Sequence, residues 1–316
     1  MRKIDETSTC LQRYARLHVY AVYDILNRRK GGEANMNLVY LIMHQHKPNV
    51  TELSRSIATA FCNAGIAVSA EPWLYDSVSE DVRTLLCRAK LEDCEAVVSV
   101  GGDGTLLRAN TLSSRYQLPL LGINMGTVGF LAEVEFEQLD LACKRLKAND
   151  FMIVERMMLK ATLGEQTALA LNDVVLSRGG YTRLIGVNAW VGEDQIGRYI
   201  ADGLIVSTPT GSTGYSLSAG GPIVCPEVEC MLLTPICAHS LQHRPVVTSA
   251  TQTICVKLDR EHSPRAIVSI DGRQSFELSR QQSLYITQAQ QRARFIRLEP
   301  TSFFSKIRVK LSEWSC

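Results

Sequence analysis

The chain has 316 residues, of which 46% are hydrophobic and 21% charged, with a formal net charge of +2. That length suggests two domains, and that balance an ordinary globular core. A near-neutral charge excludes nucleic acid and anionic lipid as bulk partners, and no apolar run is long enough to span a bilayer. The first residues, MRKIDETSTCLQRYARLHVY, lack the apolar core of a signal peptide, so the expected setting is the cytoplasm. Ten cysteines are scattered through apolar segments without a CxxC pair, which reads as reduced, mostly buried thiols.

In chain order, residues 1–35 read as a poorly anchored N-terminal extension. Leu11, Tyr14, Leu17 and Tyr20 suit one face of a short helix, and RRKGGEAN, ending at Asn35, is a polar linker. Met36 then opens a strand, NLVYLIM, and is a candidate start of the mature chain. From here strands alternate with helices. Strand 37–43 leads through HQHKPN to a helix carrying Leu53, Ile57 and Phe61, ended by Asn63–Gly65. IAVSA is a strand, 80–91 a helix, and AVVSV and LPLLGIN are buried strands. This alternation predicts a Rossmann-like, mostly parallel α/β domain over 36–140. Beyond it the period becomes that of strands: MMLKATL, TALALNDVVLS, IGVNAWV, QIGRYIADGLIVS, TICVKLD, RAIVSID, FELS, SLYITQA and ARFIRL, with hairpin-type turns between several. A β-rich domain over 141–297 follows. After Pro300, Phe303, Phe304, Ile307, Leu311 and Trp314 share one helical face, with Thr301 or Ser302 as cap. That helix, in the segment 298–316, is expected to return to the α/β domain.

Two glycine-rich stretches carry the chemistry. The first is AVVSVGGDGTLLRA, residues 96–109. A carboxylate at the carboxyl end of a parallel strand lies where α/β sheets bind ligands. Gly101, Gly102 and Gly104 allow close backbone approach to a phosphate, and the next helix offers free N–H groups. Asp103 would repel a phosphate unless it served a proton or a metal, which points to phosphoryl transfer. The alternative is a plain turn in which Asp103 caps the helix. The dinucleotide fingerprint GxGxxG fails at Leu107, and no GxxxxGK[ST] is present.

The second stretch is ADGLIVSTPTGSTGYSLSAGGPIV, residues 201–224, with seven serines or threonines from Ser207 to Ser218. Small hydroxyls and glycines form a neutral, donor-rich surface suited to a nucleotide, and Tyr215 can stack on a base or hydrogen-bond to it.

GGDGT, GINMGTVGFLAE, LNDVVLSRG and the 201–224 run, in this order and spacing, resemble the NAD kinase family from about residue 37 to the C-terminus. GGDGT is shared with lipid and sphingoid-base kinases; STPTGST followed by SLSAGGP is specific. The resemblance implies an α/β domain paired with a β-rich one, and a C-terminal segment returning to the first. It implies phosphorylation of the adenosine-ribose 2′-hydroxyl of NAD, giving NADP, with ATP or polyphosphate as donor and a divalent cation, Mg²⁺, carried with the substrate. It makes Asp103 the base. Gly104, Leu107 and Phe130 line the pocket, Asn172 and Asp173 hold the dinucleotide, and Asp202 adds a contact that often serves a neighbouring subunit. Thr213, Gly214, Tyr215 and Ser218 match the adenosine-binding run, and Asp271 a DG turn. A homo-oligomer, dimer or tetramer, is implied.

Each residue also has a plain structural reading: Asn172 as a satisfied amide, Asp202–Gly203 as a turn, Phe130 and Tyr215 as core. Gly214 stands where the family usually has Ala, and Thr127–Val128 where Asn-Leu is common. Three rival functions are open. Cys225, Cys230, Cys237, His239 and His243 are close in sequence, but their gaps are long for zinc. A lipid or sphingoid kinase would need an apolar acyl pocket. A non-catalytic dinucleotide sensor would not need Asp103. The HQH at 44–46 faces either donor phosphates or solvent.

Overall fold

A computed structural model describes residues 36–313 except 46–48, 126–128, 179–183, 241, 263 and 300–302. The extension over 1–35, the caps Thr301 and Ser302, and Trp314 therefore lie outside the described residues. The chain forms two compact units, Met1–Val154 with Arg294–Lys306, and Glu155–Ala293 with Ile307–Cys316.

The first unit is built on β1 (Leu38–Met43), β2 (Ala67–Ala70), β3 (Ala96–Val100), β4 (Leu120–Asn124), β5 (Val134–Glu135) and β6 (Met152–Arg156). Its helices are α1 (Val50–Asn63), α2 (Pro72–Ser77), α3 (Glu80–Arg83), α4 (Asp103–Ser113) and α5 (Leu139–Lys147). The sheet order is β2-β1-β3-β4-β19-β6, with β19 (Ala293–Arg297) supplied from the far end of the chain and β5 beside β4. The β1–β2, β1–β3, β3–β4, β4–β5 and β4–β19 pairs are parallel. Every residue of β3 and β4 is buried, which explains their unbroken apolar runs. Ile57 and Phe61 of α1 and Leu146 of α5 pack with Val98, Leu121 and Ile123 in one core.

The helix expected over 80–91 is shorter. It ends at Arg83, because the chain then runs beside β2: the Cys87 N–H donates to the Val68 carbonyl, and Ser69 Oγ bonds with both the N–H and the carbonyl of Ala89. The return to the first sheet is made by a strand that the sequence assigns to the β-rich domain: β19 sets Phe295 opposite Leu120. Of the α7 helix (Phe303–Glu313), expected on the α/β domain, only the start groups with that unit, Lys306 Nζ lying 3.6 Å from the buried Glu133 carboxylate, while Ile307 onward groups with the second unit. Ile307 is buried, but Phe304 is 67% exposed, so the apolar stripe is narrower than the sequence suggests.

The second unit stacks two antiparallel sheets. One has the order β11-β10-β15-β18-β7-β8, from β7 (Leu159–Leu163), β8 (Gln166–Ala170), β10 (Ile185–Val191), β11 (Asp194–Ala201), β15 (Ile254–Leu258) and β18 (Leu284–Gln288). The other has the order β14-β13-β12-β9-β16-β17, from β9 (Asp173–Ser177), β12 (Gly203–Ser207), β13 (Cys230–Ile236), β14 (Val246–Ser249), β16 (Arg265–Ile270) and β17 (Gln274–Ser279). Their inner faces share one core, including Leu159, Ala170, Val187, Leu204, Leu233 and Val268. Two segments that read as single long strands are each divided. TALALNDVVLS breaks at Leu171–Asn172, where the chain leaves one sheet as β8 and joins the other as β9. QIGRYIADGLIVS breaks at Asp202, between β11 and β12. The residues flanking each corner, Leu171 and Asp173 at one and Ala201 and Gly203 at the other, are buried, so only the polar residue marks the corner. Among the described residues no helix is long and apolar enough to cross a membrane.

Candidate active site

In the first unit, β3 ends between β1 and β4, with Val100 opposite Met43 and Ile123. The Gly101 N–H donates to Ile123 O at 3.0 Å, and Gly101 has φ +151°. A Cβ there would stand 2.6 Å from Thr105 Oγ1, so the tight turn into α4 requires glycine. Gly102 occupies the cap position of α4 without a side chain, and it and Gly104 are exposed.

Asp103 is the first residue of α4, yet its carboxylate does not cap that helix. It points to the next loop, where Oδ2 accepts the Phe130 N–H at 3.1 Å and Oδ1 the Leu131 N–H at 3.3 Å. Gly129 makes this possible, since a Cβ there would lie 2.2 Å from Oδ1. The half-exposed carboxylate is thus aimed by two backbone donors. Phe130 and Leu107 are half-buried. Sequence reasoning missed a neighbouring ion pair. Arg108, on the same helix, holds Glu71 with both terminal nitrogens and donates to the carbonyl of Met43 at 2.5 Å. It ties α4 to the carboxyl ends of β1 and β2. Its only signal was a charge in an otherwise apolar-and-small helical run. His44 is exposed just after β1, and His46 lies outside the described residues.

In the second unit the crossover at 171–173 is gripped from two sides. From β12, the Thr208 N–H donates to Asn172 O (2.9 Å) and Thr208 Oγ1 to Leu171 O (2.6 Å). Gly211 packs against the Asn172 backbone so closely that a Cβ would meet its carbonyl oxygen at 2.1 Å. From the β16–β17 turn, Asp271 accepts the N–H groups of Leu171, Asn172 and Asp173 at 2.8, 2.8 and 3.1 Å. What this clamp presents is unsatisfied. Asn172 Oδ1 and Ser207 Oγ are buried without a hydrogen-bond partner among the described residues. Ser207 faces Asp173 directly across the β12–β9 ladder, so their side chains share one side of the sheet. Ser207 was not singled out by the sequence reading.

Asp173 is 6% exposed, and its pKa is pushed up to about 7, chiefly by burial and further by the Asp271 carboxylate. The unfolded chain's aspartate titrates near ~3.9. Because the folded value is raised, the group's stabilising contribution is complete below that pH and is lost as the pH rises through about 7. Asp173→Asn is therefore expected to melt higher than the parent at pH 8, by roughly 3–8 °C, and equally at pH 4. Thermal melts at both pH values check this, and equal melting at pH 8 would refute it.

The 207–218 hydroxyls divide into two groups. Thr208, Ser212 and Ser216 are fully buried and spent internally, on Leu171 O, on Pro209 O and on Thr234 Oγ1. Tyr215 and Ser218, on the short α6 helix (Tyr215–Ser218), are exposed, and Thr213 and Gly214 are partly so. Tyr215 is 48% exposed and is not a core residue. Asp202, at the other crossover, pairs with Arg178 Nε at 3.3 Å. Among the described residues, Cys225, Cys230, Cys237, His239 and His243 do not converge as a set of three ligands; His243 instead packs against Tyr199, the rings tilted by 38° with centroids 4.6 Å apart. None of the described cysteines is in a disulfide among the described residues: Cys87, Cys94, Cys143 and Cys230 are buried, Cys62, Cys225 and Cys255 are half-buried, and Cys237 is exposed.

A parallel sheet ending in a bare glycine loop with an aimed carboxylate, and a β-rich unit with buried polar atoms left unpartnered, fit the class of nucleotide-binding phosphotransferases. The ATP-NAD kinase N-terminal domain family matches residues 3–151, and the ATP-NAD kinase C-terminal domain family residues 171–298. An NAD kinase from Heliobacterium modesticaldum is 39% identical over 287 residues, covering 88% of this chain and 99% of that one. One from Moorella thermoacetica is 44% identical over 225 residues, covering 69% and 71%. Among solved structures, an Archaeoglobus fulgidus NAD kinase in complex with ATP aligns at TM-score 0.69 and 26% identity, covering 87% of this chain and 98% of that one. Yeast NADH kinase shares the fold at TM-score 0.72 and 23% identity, covering 87% and 86%. The chain belongs to the NAD kinase family and is a phosphotransferase with NAD kinase function.

Proposed function

We propose that the chain moves the terminal phosphoryl group of ATP, or of polyphosphate, to the 2′-hydroxyl of the adenosine ribose of NAD. Asp103 takes the hydroxyl proton as that oxygen attacks phosphorus. The bond from phosphorus to the leaving oxygen breaks, and its electron pair departs on ADP or, from polyphosphate, on the shortened chain. The exposed glycines 102 and 104 leave the donor phosphates room. The ATP complex of the Archaeoglobus relative supports ATP as donor. Asn172, Asp173 and Ser207 bind the dinucleotide. Thr213, Gly214, Tyr215 and Ser218 contact its adenosine, Asp202 adds a contact, and Gly104, Leu107 and Phe130 line the acceptor side.

The observation that carries this reading is the pair of orphaned buried acceptors, Asn172 Oδ1 and Ser207 Oγ, beside a buried carboxyl. Leaving such groups unpaired costs stability, and a ligand with several hydroxyls satisfies them.

Mg²⁺ fits as a companion of the donor phosphates. Asp103 offers one carboxylate, and among the described residues no group of three candidate ligands includes it. When bound, the ion neutralises charge on the transferring phosphoryl group; the proton and the acceptor oxygen are handled by Asp103 alone.

The reading also makes the protein a cytoplasmic homo-oligomer. Strand β14 is a sheet edge bearing Val247, which is 52% exposed, and such edges favour pairing. Sedimentation showing a fully active monomer would refute the oligomer, and cell fractionation tests the compartment.

A coupled assay of NADP formation on Tyr215→Ala tests the assignment of substrates. Losing a stacked base contact of ~1–3 kcal/mol should raise the NAD KM about 5- to 150-fold. The ATP KM and the melting temperature should stay unchanged, because the ring is exposed. A raised ATP KM with an unaltered NAD KM would reverse the roles of the two sites.

A further inference from the structure

The geometry assigns Asp271 a positioning role: its carboxylate holds three successive backbone N–H groups and thereby fixes how Asn172 and Asp173 face the dinucleotide. This inference rests on the reading of those two residues as dinucleotide contacts.

At the crossover the chain leaves the β7–β8 pairing and has not yet settled between β12 and β16. The N–H groups of Leu171, Asn172 and Asp173 fall in that gap and need an acceptor. Asp271 supplies it, with Oδ2 on Leu171 and Oδ1 shared by Asn172 and Asp173. The Asp271 N–H returns a bond to Asp173 O at 3.0 Å, which closes the contact in both directions. Position 271 is itself fixed. Asp271 has φ +48° and Gly272 φ +67°, the tight hairpin conformation that joins β16 to β17 and favours Asp-Gly. With 9% exposure and both oxygens engaged, Asp271 has little left to offer a ligand directly.

A second consequence is electrostatic. Asp271 places a carboxylate beside Asp173 and adds to the burial that raises the Asp173 pKa. Burial raises the Asp271 pKa, against the pull of the Leu171, Asn172 and Asp173 N–H groups and, last, of Arg273 in the same turn, while Ser207 of β12 and the adjoining Thr208 are uncharged. Asp271 thus sets the aim of the Asn172–Asp173 pair and adds to the burial that raises the Asp173 pKa. A turn residue that merely holds a hairpin would do neither.

The test uses the full chain, with NAD and ATP varied separately over pH 5–9. Asp271→Asn keeps the size, removes the charge and forfeits one acceptor. The NAD KM is expected to rise about tenfold, with the ATP KM within twofold of the parent. The inflection of kcat/KM for NAD near neutral pH should move to lower pH. Asp271→Glu, which keeps the charge but not the reach, should raise the NAD KM without moving that inflection. Hydrogen exchange should show the 171–173 amides protected in the parent and released in Asp271→Asn. An NAD KM within twofold of the parent, or both KM values raised together with an unmoved inflection, overturns the role. If Asp271→Asn does not fold, exchange of the parent decides: amides 172 and 173 exchanging at loop rates overturn it, and strand-like protection supports it. Asn172→Ala runs alongside. An unaltered NAD KM there removes the reading of Asn172 as a contact, while the exchange result still judges Asp271.

Discussion

Asp103→Asn is expected to lower NAD phosphorylation by about 10²–10⁴-fold, the usual loss on removing a general base. The fold should survive. Asn matches Asp in shape and sits at the same start of α4, which Asp103 does not cap. The cost lies in the clamp. Asp103 accepts from both Phe130 and Leu131, and an amide offers one oxygen to the two donors. One N–H then faces an NH₂ group, at a cost of ~1–3 kcal/mol, which lowers melting by several degrees at most. Binding of NAD should change little, because the orphaned acceptors belong to the second unit. A coupled assay, a melting curve and NAD titration on this variant separate the effects. Turnover near that of the parent would remove Asp103 from the chemistry. A loss of NAD binding equal to the loss of turnover would make it a binding residue instead.

The alternation of buried runs and amphipathic helices was enough to recover the parallel sheet, since β3 and β4 are buried on both faces and read as unbroken apolar segments. The same signal misled at the two crossovers. Residues on either side of Asn172 and of Asp202 belong to different sheets, but both sheets bury them, so periodicity shows no seam. The sequence offers as candidates what sits in a local run: the glycines around Asp103, the Asn172–Asp173 pair and Tyr215, whose exposure only the structure shows. It does not show the partners that a side chain finds far along the chain. Asp271 reaches Leu171 across 100 positions, and Arg108 reaches Glu71 across 37. No spacing rule carries such pairings. The hydroxyl-rich run was overread for the opposite reason: composition cannot say which hydroxyls are spent on the loop's own carbonyls, as those of Thr208 and Ser212 are.

Gly129→Ala should cost turnover almost as heavily as altering Asp103, the proposed base, though no reactive group is removed. The added Cβ would lie 2.2 Å from Asp103 Oδ1 and 2.9 Å from its Cγ. Neither side can yield freely. The carboxylate is held by the N–H groups of Phe130 and Leu131, which follow Gly129 in the same loop. If the carboxylate turns away, it leaves the direction from which the proposed mechanism has it meet the acceptor hydroxyl. If the loop moves back, it withdraws the two donors that set that aim. A displacement of the order of 1 Å in a reacting group costs ~10²-fold in rate. Turnover should fall by about that factor, with the NAD KM held within a few-fold, and Gly129→Val should fall further. A loop that is merely weakened would lower melting and leave turnover intact, which would sink the argument. The sharper check is the double variant. If Gly129 acts only through Asp103, adding Gly129→Ala to Asp103→Asn should cost little more, because the group being aimed is already gone. Losses that multiply in the double variant would show that Gly129 shapes the site by another route.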